Sequence, residues 1–122
     1  MLYEHMTKLL VHETRRLADN EIVDIIVWAI PVTKEDPDGV SYSINYRKFD
    51  ENKGRWMALA RFDNAHKYKG HKTKHHLHIG HIITEVRFKN IGELYPELLT
   101  IIDRLKKEGE NEEITEENEW SK

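Results

Sequence analysis

The stretch Val40-Ser41-Tyr42-Ser43-Ile44-Asn45-Tyr46-Arg47 alternates apolar and polar residues without a break. Val40, Tyr42, Ile44 and Tyr46 face one way and Ser41, Ser43, Asn45 and Arg47 the other, the period of a strand with one covered face. The turn formers Asp50-Glu51-Asn52-Lys53-Gly54 follow, and residues 55–63 return as a second strand. On that return strand Trp56, Ala58, Ala60 and Phe62 share one face. Met57 and Leu59 share the other with Arg55, Arg61 and Asp63. A hairpin over 40–63 predicts antiparallel pairing.

Outward from the hairpin, residues 21–31 are nearly continuous in apolar, β-branched character, as in a strand covered on both faces. Pro31 ends that strand or places it at an edge. Residues 82–88 read as another strand with Ile82, Val86 and Phe88 on one side. Residues 2–18 place Leu2, Met6, Leu9, Leu10 and Leu17 on a 3.6-residue period, which predicts an amphipathic helix closed by Asp19-Asn20, with His5 and His12 on its surface. Asn90 and Glu93 have capping-box spacing, and Pro96 suits a first turn, so a helix is expected over 96–107. The expected fold is a single α+β domain over residues 1–107, a mostly antiparallel four-stranded sheet flanked by an N-terminal and a C-terminal helix. From Glu108 on, seven glutamates in thirteen residues predict a disordered acidic tail.

With 39% hydrophobic and 34% charged residues, the 122-residue chain reads as one soluble globular domain. No apolar run is long enough to span a membrane, and the first residues have no signal-peptide pattern. Cysteine is absent, so there is no disulfide framework and no thiolate zinc site. A cytoplasmic location is the expectation. The net charge of −3 conceals a strong asymmetry. Residues 1–46 carry a net of −4, residues 47–89 a net of +7, and residues 90–122 a net of −6. A basic middle third recruits a polyanion whatever the total charge.

Most of that cationic character lies in Arg61 to His81. Six of the eight histidines fall between 66 and 81, interleaved with four lysines. So much imidazole and ammonium between strands points to an anion site, and a nucleic-acid phosphodiester is the anion that fits best. The plainer reading is a solvated basic loop with histidines packed on a sheet edge. If residues 74–79 are extended, Lys74, His76 and His78 share one face and His75, Leu77 and Ile79 the other. His75 then reads as a packed histidine.

These residues resemble the TumE family of small toxins from bacterial and archaeal toxin–antitoxin pairs, over about residues 20–105. The resemblance rests on Val27-Trp28-Ala29-Ile30-Pro31, on the strand at 40–46, on Phe62-Asp63-Asn64, on His76-Leu77-His78 and on the strand from Glu85 to Phe88. The segment from Tyr68 to Lys74 is longer and more basic than the family pattern. The resemblance implies a toxin neutralised by a cognate antitoxin, expected to be a small helix-turn-helix protein. Self-association as a homodimer is compatible with it.

Metal-independent RNA cleavage would need a base for the 2′-hydroxyl, an acid for the leaving 5′-oxygen and cations for the phosphorane. His76 and His78, about 6–7 Å apart on an extended face, are the expected pair. Asp63 would orient a histidine. Arg61 and Lys74 would hold the phosphate oxygens. Tyr68 would stack on a base, and Asn64, His66, Lys67, Lys69, His71 and Lys72 would complete the RNA-binding surface. No cofactor is expected. A second chemistry makes His76, His78 and Asp63 a metal set, with His66 or His71 as fourth ligand, against the repulsion of the lysines around it. A non-catalytic nucleic-acid-binding module, or an interaction protein whose basic patch meets an acidic partner, uses the same residues.

Overall fold

A computed structural model describes residues 7–109 together with Ile114. Six strands run as one antiparallel meander in chain order: β1 Lys8–Ala18, β2 Glu21–Ala29, β3 Val40–Asp50, β4 Arg55–Asp63, β5 His76–Ile79 and β6 Ile82–Glu85. A 3₁₀ turn at Ile91–Glu93 leads into helix α1, Leu94–Glu108. Asn90 caps this turn by accepting the Glu93 amide at 3.1 Å. Pro96 sits in the first helical turn, where its missing N–H costs nothing.

Two expectations about the architecture fail. The sheet has six strands rather than four, and residues 8–18 form an edge strand rather than a helix. Residues 2–6 of the expected helix lie outside the described residues. The helical period over 9–17 is produced by two register shifts, between Leu9 and Val11 and between Arg16 and Ala18. Each such bulge resets the period-2 alternation and mixes the two faces. Tertiary context supplies the pull. The apolar strand β2 would otherwise end the sheet with an unpaired row of backbone donors and acceptors, and β1 fills it. Asp19-Asn20 closes no helix; it is the two-residue turn between β1 and β2. The sixth strand arises because residues 76–79 pair with β4 and, through the tight Gly80-His81 turn, with β6.

A third shift, between Tyr46 and Arg47 against Ala58 and Ala60, corrects the expected faces of β4. Leu59 sits in the bulge. Met57, opposite Lys48, therefore shares the core face with Ala60 and Phe62, and Trp56 does not. The backbone carbonyl of Ala58, beside the bulge, accepts the amide of Ile114 at 2.9 Å.

The core lies between one face of the sheet and α1. Val23, Ile25, Tyr42, Ile44, Tyr46 and Phe62 meet the helix stripe Leu94, Leu98, Ile102 and Leu105. The guanidinium of Arg15 lies 4.4 Å over the Tyr95 ring, tying the edge strand to the helix. At the far end of the helix Glu21 accepts from the Tyr46 hydroxyl at 2.7 Å and pairs with Lys106 at 2.7 Å. Burial pushes the Glu21 carboxyl up, but these two partners outweigh it and hold the group below the ordinary carboxylate range. With α1 on this face, the opposite face of β3–β6 is left for the polar residues.

Candidate active site

Cross-strand register assembles the site. Asn45, Arg61 and His78 are aligned across β3, β4 and β5, and so are Ser43, Asp63, His76 and Glu85, which adds β6. Partners in an antiparallel pair project to the same face, so a basic row and a row of mixed charge stand side by side away from the helix. Arg61 Nε lies 2.7 Å from Asp63 Oδ2, and His78 Nε2 lies 3.5 Å from the same oxygen. Burial pushes the Asp63 carboxyl up, but His78, Arg61 and the Ala65 amide outweigh it, and the net shift is downward.

Residues 64–75 fold back over these rows as a roof. Tyr68 and His71 bracket a tight turn, with the His71 amide donating to the Tyr68 carbonyl at 3.0 Å and Gly70 at φ 84°. Its Tyr68 ring packs edge-on against His76 at 4.6 Å and lies 6.0 Å from His78. Burial pushes the Tyr68 phenol up to about 12, so it is neutral at physiological pH. Glu85 anchors the far end of the loop by accepting the Lys72 and Thr73 amides at 2.7 and 2.6 Å.

The histidine geometry fixes protons. His76 Nδ1 lies 2.7 Å from the Lys74 carbonyl oxygen, which can only accept, so that nitrogen carries a hydrogen. In the neutral ring Nε2 is then an acceptor, and His71 Nδ1 donates to it at 2.8 Å. In the neutral form of His71 the lone pair is then on Nε2. His76 and His78 are 0% exposed, whereas His71 is half-buried and reaches the surface. Their ring centroids are 6.4 Å apart.

The structure thus brings together Arg61, Asp63, Tyr68, His71, His76 and His78, with His66 half-buried beside the Tyr68 ring at 6.4 Å. Two other expected RNA-binding residues have internal duties. Asn64 accepts the Tyr42 amide at 3.0 Å and donates to the Val40 carbonyl at 2.8 Å, stitching β4 to the start of β3. Lys74 pairs with Asp36 at 3.1 Å. Lys67, Lys69 and Lys72 are exposed on the roof. His75 is a packed histidine: it bonds Tyr42 and Asp38 at 2.9 and 2.8 Å and stacks 4.2 Å from the Phe88 ring. Sequence reasoning missed Asp36, Asp38 and Glu85, which hold the roof in place. The charged run 34–38 reads as an ordinary turn until its contacts with the roof are seen. Among the described residues no three His, Asp or Glu side chains are disposed to hold a metal ion, and both His76 nitrogens are already engaged.

Comparison with known families decides membership. The chain matches the sequence model of the toxin TumE family over residues 5–106. This chain belongs to the TumE toxin family. As a TumE toxin it is one half of a toxin–antitoxin pair, and a cognate antitoxin is its partner. No curated protein and no solved structure matches it. Among the described residues of this TumE chain no helix is long and apolar enough to cross a membrane.

The buried cluster makes stability pH-dependent. Burial holds the His76 pKa below its ordinary 6.5, reinforced by His71 and His78 and opposed by the Lys74 carbonyl and Asp63. Below pH 6.5 the unfolded chain therefore binds a proton that the folded protein resists, and stability falls with falling pH. Asp63, held below its ordinary 3.8, adds a second loss below about pH 4. Thermal melts from pH 8 to pH 5 should show a declining Tm below pH 6.5. His76→Gln should flatten that decline; an unchanged slope in this variant would assign it to another group.

Proposed function

We propose that this TumE toxin is a metal-independent endoribonuclease working by histidine acid–base chemistry. The observation that carries the reading is the bond between His71 Nδ1 and His76 Nε2, which leaves a basic nitrogen on a surface-reaching ring and holds that ring from behind. In this scheme His71 Nε2 takes the proton of a ribose 2′-hydroxyl as the 2′-oxygen bonds to phosphorus. The bond from phosphorus to the 5′-oxygen breaks, and His66, the other half-buried imidazole of the roof, gives that oxygen its proton. The products are a 2′,3′-cyclic phosphate and a 5′-hydroxyl end. Lys67, Lys69 and Lys72 supply positive charge to the RNA backbone around the reacting linkage. His76 is a positioning residue, and the contacts of Asp63 with Arg61 and His78 hold the floor on which it stands.

The complete burial of His76 and His78 favours a second reading, an RNA-binding module that cuts nothing and whose histidines only stiffen the loop. Incubating the purified chain with single-stranded RNA in excess chelator separates the two. Cyclic-phosphate ends support the enzyme, and binding without new ends supports the module. No binding at low salt would sink both and leave an interaction protein.

A further inference from the structure

A concavity of about 420 Å³ opens where the loop joining β2 to β3 meets the roof. Lys34, Pro37, Val40, Lys67, Lys72 and His75 are among its walls, and its lining is mainly apolar. Among the described residues Lys34, Lys67 and Lys72 have no carboxylate partner, whereas Lys74 and His75 of the same wall are held by Asp36 and Asp38. Of the three acidic residues that line the cavity, Asp36 and Asp38 are directed to Lys74 and His75, so that three ammonium groups against the one exposed carboxylate of Glu35 leave a net positive charge over a mainly apolar lining.

We infer that this cavity is a nucleotide subsite, taking the base and ribose next to the cleaved linkage while Lys34, Lys67 and Lys72 hold the flanking phosphates. The inference rests on the ribonuclease reading and extends it to substrate recognition. Its volume falls within the usual range for small-ligand pockets, and an apolar floor under cationic groups matches a planar base carried on an anionic backbone. Position supports it as well. Lys72 follows His71 directly in the chain, and the Lys74 carbonyl that holds His76 belongs to a residue lining the cavity. One strand of RNA can therefore lie against His71 and enter the cavity without a break in the basic surface. The Asp36 and Asp38 contacts tie the β2–β3 loop to the roof and keep the pocket formed.

Lys34→Glu tests this, because Lys34 is exposed and takes no part in the proposed chemistry. With a short single-stranded RNA, the expected result is a KM about tenfold higher, kcat within a factor of two, an unchanged Tm and a shallower salt dependence of binding. In parallel, AMP, CMP, GMP and UMP should shift the amide resonances of Val40 and His75 in the wild-type protein and not in the variant, with inorganic phosphate alone giving smaller shifts. Wild-type cleavage with an unaltered KM in Lys34→Glu overturns the subsite and leaves the nuclease standing. A wild-type protein that neither binds nor cuts RNA overturns both. Loss of antitoxin binding with RNA handling intact would make the cavity a protein-docking site and overturn the subsite too.

Discussion

On the proposed ribonuclease mechanism, His71→Ala should lower RNA cleavage by about 100- to 10,000-fold, the range expected for losing one proton-transfer group, and cells producing the variant should keep growing without antitoxin. RNA binding falls little, because the exposed lysines at 67, 69 and 72 remain. His76→Ala gives a loss of similar size for a different reason. Without the Nε2 that accepts from His71, the His71 ring loses both its orientation and its tautomer. Residues acting as one unit are not additive, so the double variant should be scarcely slower than either single one. Single-turnover rates on one oligonucleotide, with binding measured separately, check this. A double variant that multiplies the two defects would show that the rings act independently, and the positioning role of His76 would have to be abandoned. Retained toxicity in His71→Ala would remove that residue from the chemistry.

The second large effect is on stability. Asp63→Ala should lower the unfolding free energy by about 3 kcal/mol, at the lower end of the range for removing one partner of a buried pair. Asp63 is 6% exposed, and its loss removes the carboxylate that lies 2.7 Å from the Arg61 Nε, on a side chain only 18% exposed, and 3.5 Å from the fully buried His78. Asp63→Asn keeps the shape and should cost less. Urea denaturation of these variants, together with Arg61→Met and the corresponding double variant, isolates the pair by a thermodynamic cycle. A cost below about 1 kcal/mol for Asp63→Ala would class the pair with solvent-screened surface bridges.

The parts of the fold legible in the sequence were those where local pattern and tertiary context agree. The strand at 40–50 alternates cleanly, residues 21–29 are nearly continuous in apolar character, and the stripe from Leu94 to Leu105 meets the core as its period implies. Residues 8–18 show the opposite case. Two bulges give an edge strand the spacing of a helix, and only the presence of β2 beside it reveals which structure wins. For the site, the face shared by His76 and His78 and its alignment with Arg61 and Asp63 follow from strand periodicity once the register is known. Their burial does not, because it comes from Tyr68 and the twelve-residue segment folding over them, and loop conformation has no period to read.

By itself, then, the sequence determined the antiparallel core hairpin, the C-terminal helix, the concentration of imidazole and ammonium in one segment, and the features that mark the TumE family. Those are properties of spacing and composition, which survive without long-range contacts. Only the tertiary structure decided that the N-terminal segment is a strand and that Asn64 and Lys74 serve the scaffold. It alone decided that His71, rather than His76 or His78, brings an imidazole to the surface. Each of these depends on which groups, distant in the chain, reach each other's hydrogen bonds first, and a buried polar group takes whichever partner the packing leaves it.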